Sequence, residues 1–215
     1  MAKSEGACAM SAVDVTRSSL FKRLLKNPVG LATMLYLSLV LLVAIFAPLL
    51  TSIDPTRADI MAVLQGPSDA HWLGTDSAGR DTLARLLFGA RTTLIAASLS
   101  SIVAILIGVP TGLLAGYYAG KFDTAASWVA NMFMSLPALI VLLAVRAAVG
   151  PSIFFAMAVF GVLIAPSFFR LTRTAVMGVR NELYVDAARV SGLSDTRIIS
   201  KHILTVVRAP IIIQA

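Results

Sequence analysis

Four apolar runs constrain this chain more than any motif in it. They extend from Val29 to Leu50, from about Thr92 to Tyr118, from about Thr124 to Val145 and from Ser152 to Phe169. Each is about twenty residues long, enough for one helix to cross the ~30 Å hydrocarbon layer. Within that layer every backbone N–H and C=O must be satisfied inside the protein, which leaves helices as the spanning structure for runs of this length. The expected fold is therefore all-α, a polytopic transmembrane helical bundle. Composition supports this where it is needed. Only 13% of the 215 residues are charged, against about 25% in a soluble domain. The formal charge of +7 would suggest nucleic acid in a soluble protein. Here the basic residues flank the runs, so membrane lipid is the expected partner and nucleic acid is not. The lone Cys8 permits no internal disulfide or cysteine-based zinc site and is given no role.

In chain order, residues 1–28 form a polar tail carrying Lys3, Arg17, Lys22, Arg23 and Lys26. The run at 29–50 is longer than the core of a signal peptide, and no A-x-A site ends it, so it reads as a retained first transmembrane helix. Residues 51–91 are too polar to span and form an extracytoplasmic loop followed by an amphipathic helix. Pro55, Gly66, Pro67 and Gly74 punctuate the loop, and Leu83, Leu86, Leu87 and Ala90 mark the helix. Gly74 permits a tight turn, Asp76 is expected to cap the helix, and Arg80 and Asp81 to tie helix to loop. Trp72 suits the interfacial aromatic belt. His71 stands near Asp76 and Asp81 without a nucleophile, so neither catalysis nor a metal site is expected.

Residues 92–215 hold three transmembrane helices and a cytoplasmic loop at about 180–205. Gly108, Gly112, Gly116 and Gly120 recur every four residues, the spacing that lets two membrane helices approach closely. Asn131, Ser135 and Pro137 fall inside the third run. Asn131 is expected to bond another helix, and Ser98, Asn131 and Ser135 are the polar candidates for lining a path. From Arg170 onward seven basic residues face three acidic ones, whereas 51–91 has four basic and five acidic. The positive-inside rule then puts the N-terminus and the loop at 180–205 in the cytoplasm. In that loop Leu183, Ala187 and Val190 lie at helical spacing, as do Tyr184 and Ala188. Gly192 ends the helix in a left-handed conformation, with Leu193 as the apolar residue of a Schellman ending. Ser194 and Asp195 suit the start of a second helix. Ala187 and Ala188 make one side of the first helix slim enough to enter a groove on another protein.

Two strings carry a family resemblance. HWLGTDSAGRDTLARLLFGARTTL, residues 71 to 94, strongly resembles the segment before the second span of the C-type permease subunit of dipeptide, oligopeptide and nickel ABC importers. His71, Leu73, Gly74, Thr75, Asp76, Gly79, Arg80, Asp81, Arg85, Gly89, Ala90 and Arg91 fit that pattern. Asp186-Ala187-Ala188, followed by Gly192, resembles the family's EAA loop, with Asp186 for the usual Glu and Thr205 where Pro is usual. The resemblance implies an ABC type I importer permease, here without the last two spans. It also implies that Tyr184, Asp186, Ala187, Ala188 and Gly192 form the ATPase-coupling loop. The implied partners are a second permease subunit, two ATPase domains or subunits and an extracytoplasmic substrate-binding protein. ATP and Mg would then be on the ATPase subunits. This chain has no G-x-x-x-x-G-K-[ST] loop, and no cofactor or enzymatic activity of its own is expected. The alternative is a truncated, non-transporting membrane anchor or assembly protein.

Overall fold

A computed structural model describes residues 27–214. The basic residues of the tail up to Lys26, and Cys8, lie outside the described residues. Between Arg91 and Thr92 the chain divides into two compact units.

The first unit opens with α1 (Pro28–Leu50). Asn27 caps it by accepting from the Val29 N–H at 3.1 Å, and Pro28 fits the first helical turn because its missing N–H would have no partner there. Most of the large apolar side chains of α1 are exposed, as lipid contact requires. A tightly folded loop follows. Gly74 and Gly79 both have positive φ. A Cβ on Gly79 would collide with the Asp59 backbone. Thr75 pairs with Asp81 in an antiparallel bridge, and the Thr75 hydroxyl donates to the Ala62 carbonyl.

Asp76 closes this loop instead of capping the next helix. Its Oδ1 accepts from the Ala78 and Arg80 N–H groups at 2.8 and 3.0 Å. Its Oδ2 accepts from Arg80 Nε at 3.0 Å and from Arg85. The capping residue is Asp81, which accepts from the Ala84 N–H at 2.6 Å and holds His71 Nδ1 at 2.9 Å. An Asp at either position satisfies the same sequence pattern, and the glycine turn at 79 decides between them.

The Arg80 N–H, then the Ala78 N–H and the Arg80 guanidinium, hold the Asp76 carboxyl down to about 2. A lowered folded value means that this stabilisation is fully present above the ordinary carboxylate range and is lost as pH falls through about 2. The loop is expected to keep its form from pH 4 to 8. Asp76→Ala should speed hydrogen exchange at Ala78 and Arg80 at pH 7, and acidifying the native chain to about pH 2 should lower the protection of the same two amides relative to their intrinsic exchange rate at that pH. Unchanged exchange in the variant would show that the loop does not depend on this carboxylate.

The next helix, α2 (Thr82–Tyr118), is continuous. The amphipathic stretch and the second span are thus one element. In the second unit, α3 (Gly120–Met134) and α4 (Ala138–Val149) follow, then α5 (Ile153–Val179). The run at 124–145 is not one straight span: α3 and α4 are bent by 76° at the break between them. Pro137 accounts for this, because it has no N–H to donate and pushes Leu136 out of the helical region. Then come α6 (Leu183–Val190), a short α7 (Asp195–Arg197), one π-helical turn at Ile198–Ile203 and α8 (Leu204–Gln214).

The seam of this unit lies between α2 and α5. A Cβ on Gly112 would stand 2.7 Å from the Phe169 carbonyl oxygen and 2.8 Å from Thr172 Cβ. On Gly116 it would stand 2.7 Å from Val176 Cβ, and Gly108 faces Ala165 and Phe168 in the same way. From the other side, Gly161 faces Ser100 and Val103. Partners advance along α5 as the glycines advance along α2, so the two helices run parallel. Parallel spans must be joined by an odd number of crossings. The bent α3–α4 pair therefore counts as one crossing, and the C-terminal ends of α2 and α5 lie on the same side.

Gly120 does not belong to the seam. It starts α3 with positive φ and has open space where a Cβ would go. Before it, Ala119 has φ 54° and ψ −153°, a region that is nearly glycine-only and costs about 1–3 kcal/mol for other residues.

Candidate functional site

The ends of α2 and α5 meet the segment from 180 to 203. Here α6 forms because Leu183–Val190 is free of Gly and Pro, and it stops at a Schellman ending. The Leu193 N–H donates to the Ala188 carbonyl at 3.2 Å and the Gly192 N–H to the Arg189 carbonyl at 3.0 Å. Gly192 supplies the required φ of +74°. Ser194 makes no side-chain cap; its carbonyl accepts from the Arg197 and Ile198 N–H groups.

The two faces of α6 differ. Val185 and Ala188 are buried, at 0% and 6% exposure, in an apolar cluster with Tyr117, Val176, Ile198, Ile203 and Val207. The opposite face presents Leu183 and Val190, 86% and 90% exposed. Ala187 is exposed on the same stripe and Tyr184 is partly so. Asp186 pairs with Arg189 at 3.0 Å on the surface. The two alanines therefore do different work: Ala187 faces outward, and Ala188 seats the helix.

Three polar contacts hold this segment to the helix ends. Tyr117 donates from its hydroxyl to Asp195 Oδ1 at 2.7 Å. The Arg189 guanidinium lies over the Tyr117 ring, 5.3 Å from its centre. Arg180 donates to the Gly116 carbonyl at 3.3 Å. Nearby, Asp123 of α3 and Arg173 of α5 form a bidentate pair, with Nη2 2.6 Å from Oδ2 and a second bond from Nε to Oδ1. Ser127 donates to the same carboxylate.

The sequence reading missed the Tyr117 and Arg173 contacts. Their only trace was an Asp in the first turn after Gly120 and an Arg within a largely apolar run. Ser98, Asn131 and Ser135 are exposed. Ser135 bonds the Met132 carbonyl at 2.8 Å, while the Asn131 side chain bonds no other helix among the described residues. None of the three lines the 400 Å³ cavity bounded by α2, α3 and α5, whose walls include Ile107, Phe122, Val129, Phe133 and Pro166. Among the described residues no cluster of three or more His, Cys, Asp or Glu is placed to hold a metal.

Residues 108–215 match the family described as binding-protein-dependent transport system inner membrane component. Residues 18–67 match the N-terminal TM domain of oligopeptide transport permease C. The chain is 37% identical over 195 residues to a dipeptide transport system permease protein of Alkalihalophilus pseudofirmus, covering 91% of this chain and 64% of that protein. It is 36% identical to a probable D,D-dipeptide transport system permease protein of Escherichia coli, covering 88% and 63%. A glutathione transport system permease protein of Pectobacterium atrosepticum is 35% identical, covering 86% and 62%. The chain thus spans less than two thirds of the length of these curated relatives.

Proposed function

The chain belongs to the family of binding-protein-dependent transport system inner membrane components, and on that premise we propose that it is a membrane-spanning permease subunit of an ABC importer. The proposed cargo class is di- or oligopeptides, with nickel-type solutes as the other class served by such permeases. The N-terminus and the 180–203 segment lie in the cytoplasm. The working assembly contains a second permease subunit, two ATPase domains or subunits carrying ATP and Mg, and an extracytoplasmic substrate-binding protein. This chain supplies passage and coupling, and hydrolysis occurs on its partners.

One observation carries the reading: α6 is seated from behind by buried Val185 and Ala188, while the side chains of Leu183, Ala187 and Val190 on its outward stripe are exposed among the described residues. A short helix of this shape can enter a groove on an ATPase subunit. Movement of that groove then biases the spans, provided the helix stays seated in both states. Ala187 is the slim point of entry. Ala188 and Gly192 act indirectly, by setting the angle of α6, and Asp186 is fixed by Arg189.

The test is a double substitution, Leu183→Asp with Val190→Asp. Both positions are exposed, so the fold should survive. Co-purification of the ATPase subunits is expected to fall by about tenfold or more, because truncating or charging an apolar anchor costs roughly 1–2 kcal/mol or more. An inert anchor protein would be indifferent to the change. Full retention of the ATPase subunits would sink the docking reading. Ala188→Glu is a poor probe of docking, since it would break the chain's own core first.

A further inference from the structure

We propose that Tyr117 is the positioning residue through which the docked segment acts on α2. Its hydroxyl and ring clasp α6 and α7 to the helix that carries the glycine seam. This rests on the docking reading above and adds a route of force that the docking reading does not contain.

Along the chain, α6 follows α5 through residues 180–182 and runs on into α7 through residues 191–194, so no covalent neighbour ties it to α2. Tyr117 makes a second joint, 78 residues away in sequence. Its hydroxyl bonds Asp195, which opens α7, and its ring lies under Arg189, which belongs to α6. Both helices flanking the Gly192 break are therefore fixed to one buried side chain in the last turn of α2. The Tyr117–Asp195 contact is a charge-assisted bond, short and directional. A shift of α6 and α7 must carry α2 along or break that bond.

Little slack stands behind the clasp. Arg180 holds the Gly116 carbonyl one residue away. Past Tyr118, the strained Ala119 leads directly into α3, whose first turn is pinned by Asp123 to Arg173 of α5. Displacement at Tyr117 is thus passed to α2 and α5 together, as a pair already locked by their glycine seam.

The experiment uses the complete complex of this chain with its partner permease, ATPase subunits and binding protein in proteoliposomes. It reads uptake of a radiolabelled dipeptide per ATP hydrolysed. Tyr117→Phe keeps the ring, its packing and the Arg189 guanidinium over the ring face, and deletes the hydroxyl that bonds Asp195. The uptake-to-hydrolysis ratio is expected to fall about fivefold or more, with ATPase subunits still co-purifying. Asp195→Ala should match it, and Asp195→Asn, which keeps an acceptor oxygen, should recover most of the ratio. The double variant Tyr117→Phe with Asp195→Ala should be no worse than either single, because both remove one bond.

An unchanged ratio in Tyr117→Phe, or additive losses in the double variant, overturns the proposal. So does a parallel drop of uptake and hydrolysis at constant ratio, which is what a purely structural role would give. If Tyr117→Phe fails to assemble, Asp195→Ala carries the same comparison. Failure of the docking reading shows up separately, as undiminished ATPase binding after Leu183→Asp with Val190→Asp.

Discussion

Gly112→Leu is expected to unseat α2 from α5 and to be the most damaging single change in the second unit. Even the first added carbon would meet the Phe169 carbonyl at 2.7 Å, Thr172 Cβ at 2.8 Å and the Arg173 nitrogen at 3.2 Å. Two of these three are backbone atoms, so no rotamer change relieves the contact. Overpacking of this kind costs about 3 kcal/mol, which lowers the melting temperature of a domain this size by roughly 6–12 °C. Gly178→Ala is the control. It lies on α5 as well, but open space surrounds its Cβ position. There the substitution should stabilise by about 0.5–1 kcal/mol, because alanine loses less backbone freedom in a helix. Thermal unfolding in detergent reads both. If the leucine variant melts with the native protein, the two helices are not in the close contact described.

Arg173→Ala ranks second. It strands the Asp123 carboxylate, which is only 9% exposed, without its bidentate partner. Breaking one side of a buried pair costs about 3–5 kcal/mol. The lower end applies, since the Arg173 side chain is 30% exposed and water reaches part of it. Replacing both partners, Asp123→Leu with Arg173→Met, should restore most of the loss, because no unpaired charge remains. The discriminating measurement is a double-mutant cycle on thermal stability. If the double variant is as unstable as the sum of the singles, the two side chains are not coupled.

Elements with a repeating pattern were legible in the sequence. The spans followed from apolar length, and three of the four glycines in the stripe lie on the α2–α5 seam. Gly120 kept the spacing yet left the helix, because a period of four cannot report that the backbone turns at Ala119. Residues 92–118 and the amphipathic stretch before them read as separate elements only because their polarity differs. Polarity marks where a helix enters lipid, not where it begins. The break at 135–137 was half visible, in Pro137, but its angle depends on what packs around it.

The candidate site was legible in outline and not in its contacts. Helical spacing grouped Leu183, Ala187 and Val190 correctly on one face. It could not say which of Ala187 and Ala188 turns inward, since both adjoin that stripe and only packing against Tyr117 and Ile198 decides. Asp123 with Arg173, and Tyr117 with Asp195, are separated by 50 and 78 residues. No local pattern joins such pairs. They exist because parallel α2 and α5 deliver their ends to the same place.

The single wide turn at Ile198–Ile203 governs how the last helix can be interpreted. Inward residues there are Ile198, Ile203, Val207 and Ile211, spaced five, four and four. An α-helix rotates about 100° per residue, so the additional residue would swing everything downstream round by that angle if the coil were regular. Absorbed in the wide turn, it leaves the greasy edge continuous. Any helical wheel drawn straight through residues 195–214 will therefore assign inside and outside wrongly on one half or the other. The phase must be reset at Leu204 before a surface position on that helix is chosen for labelling or crosslinking.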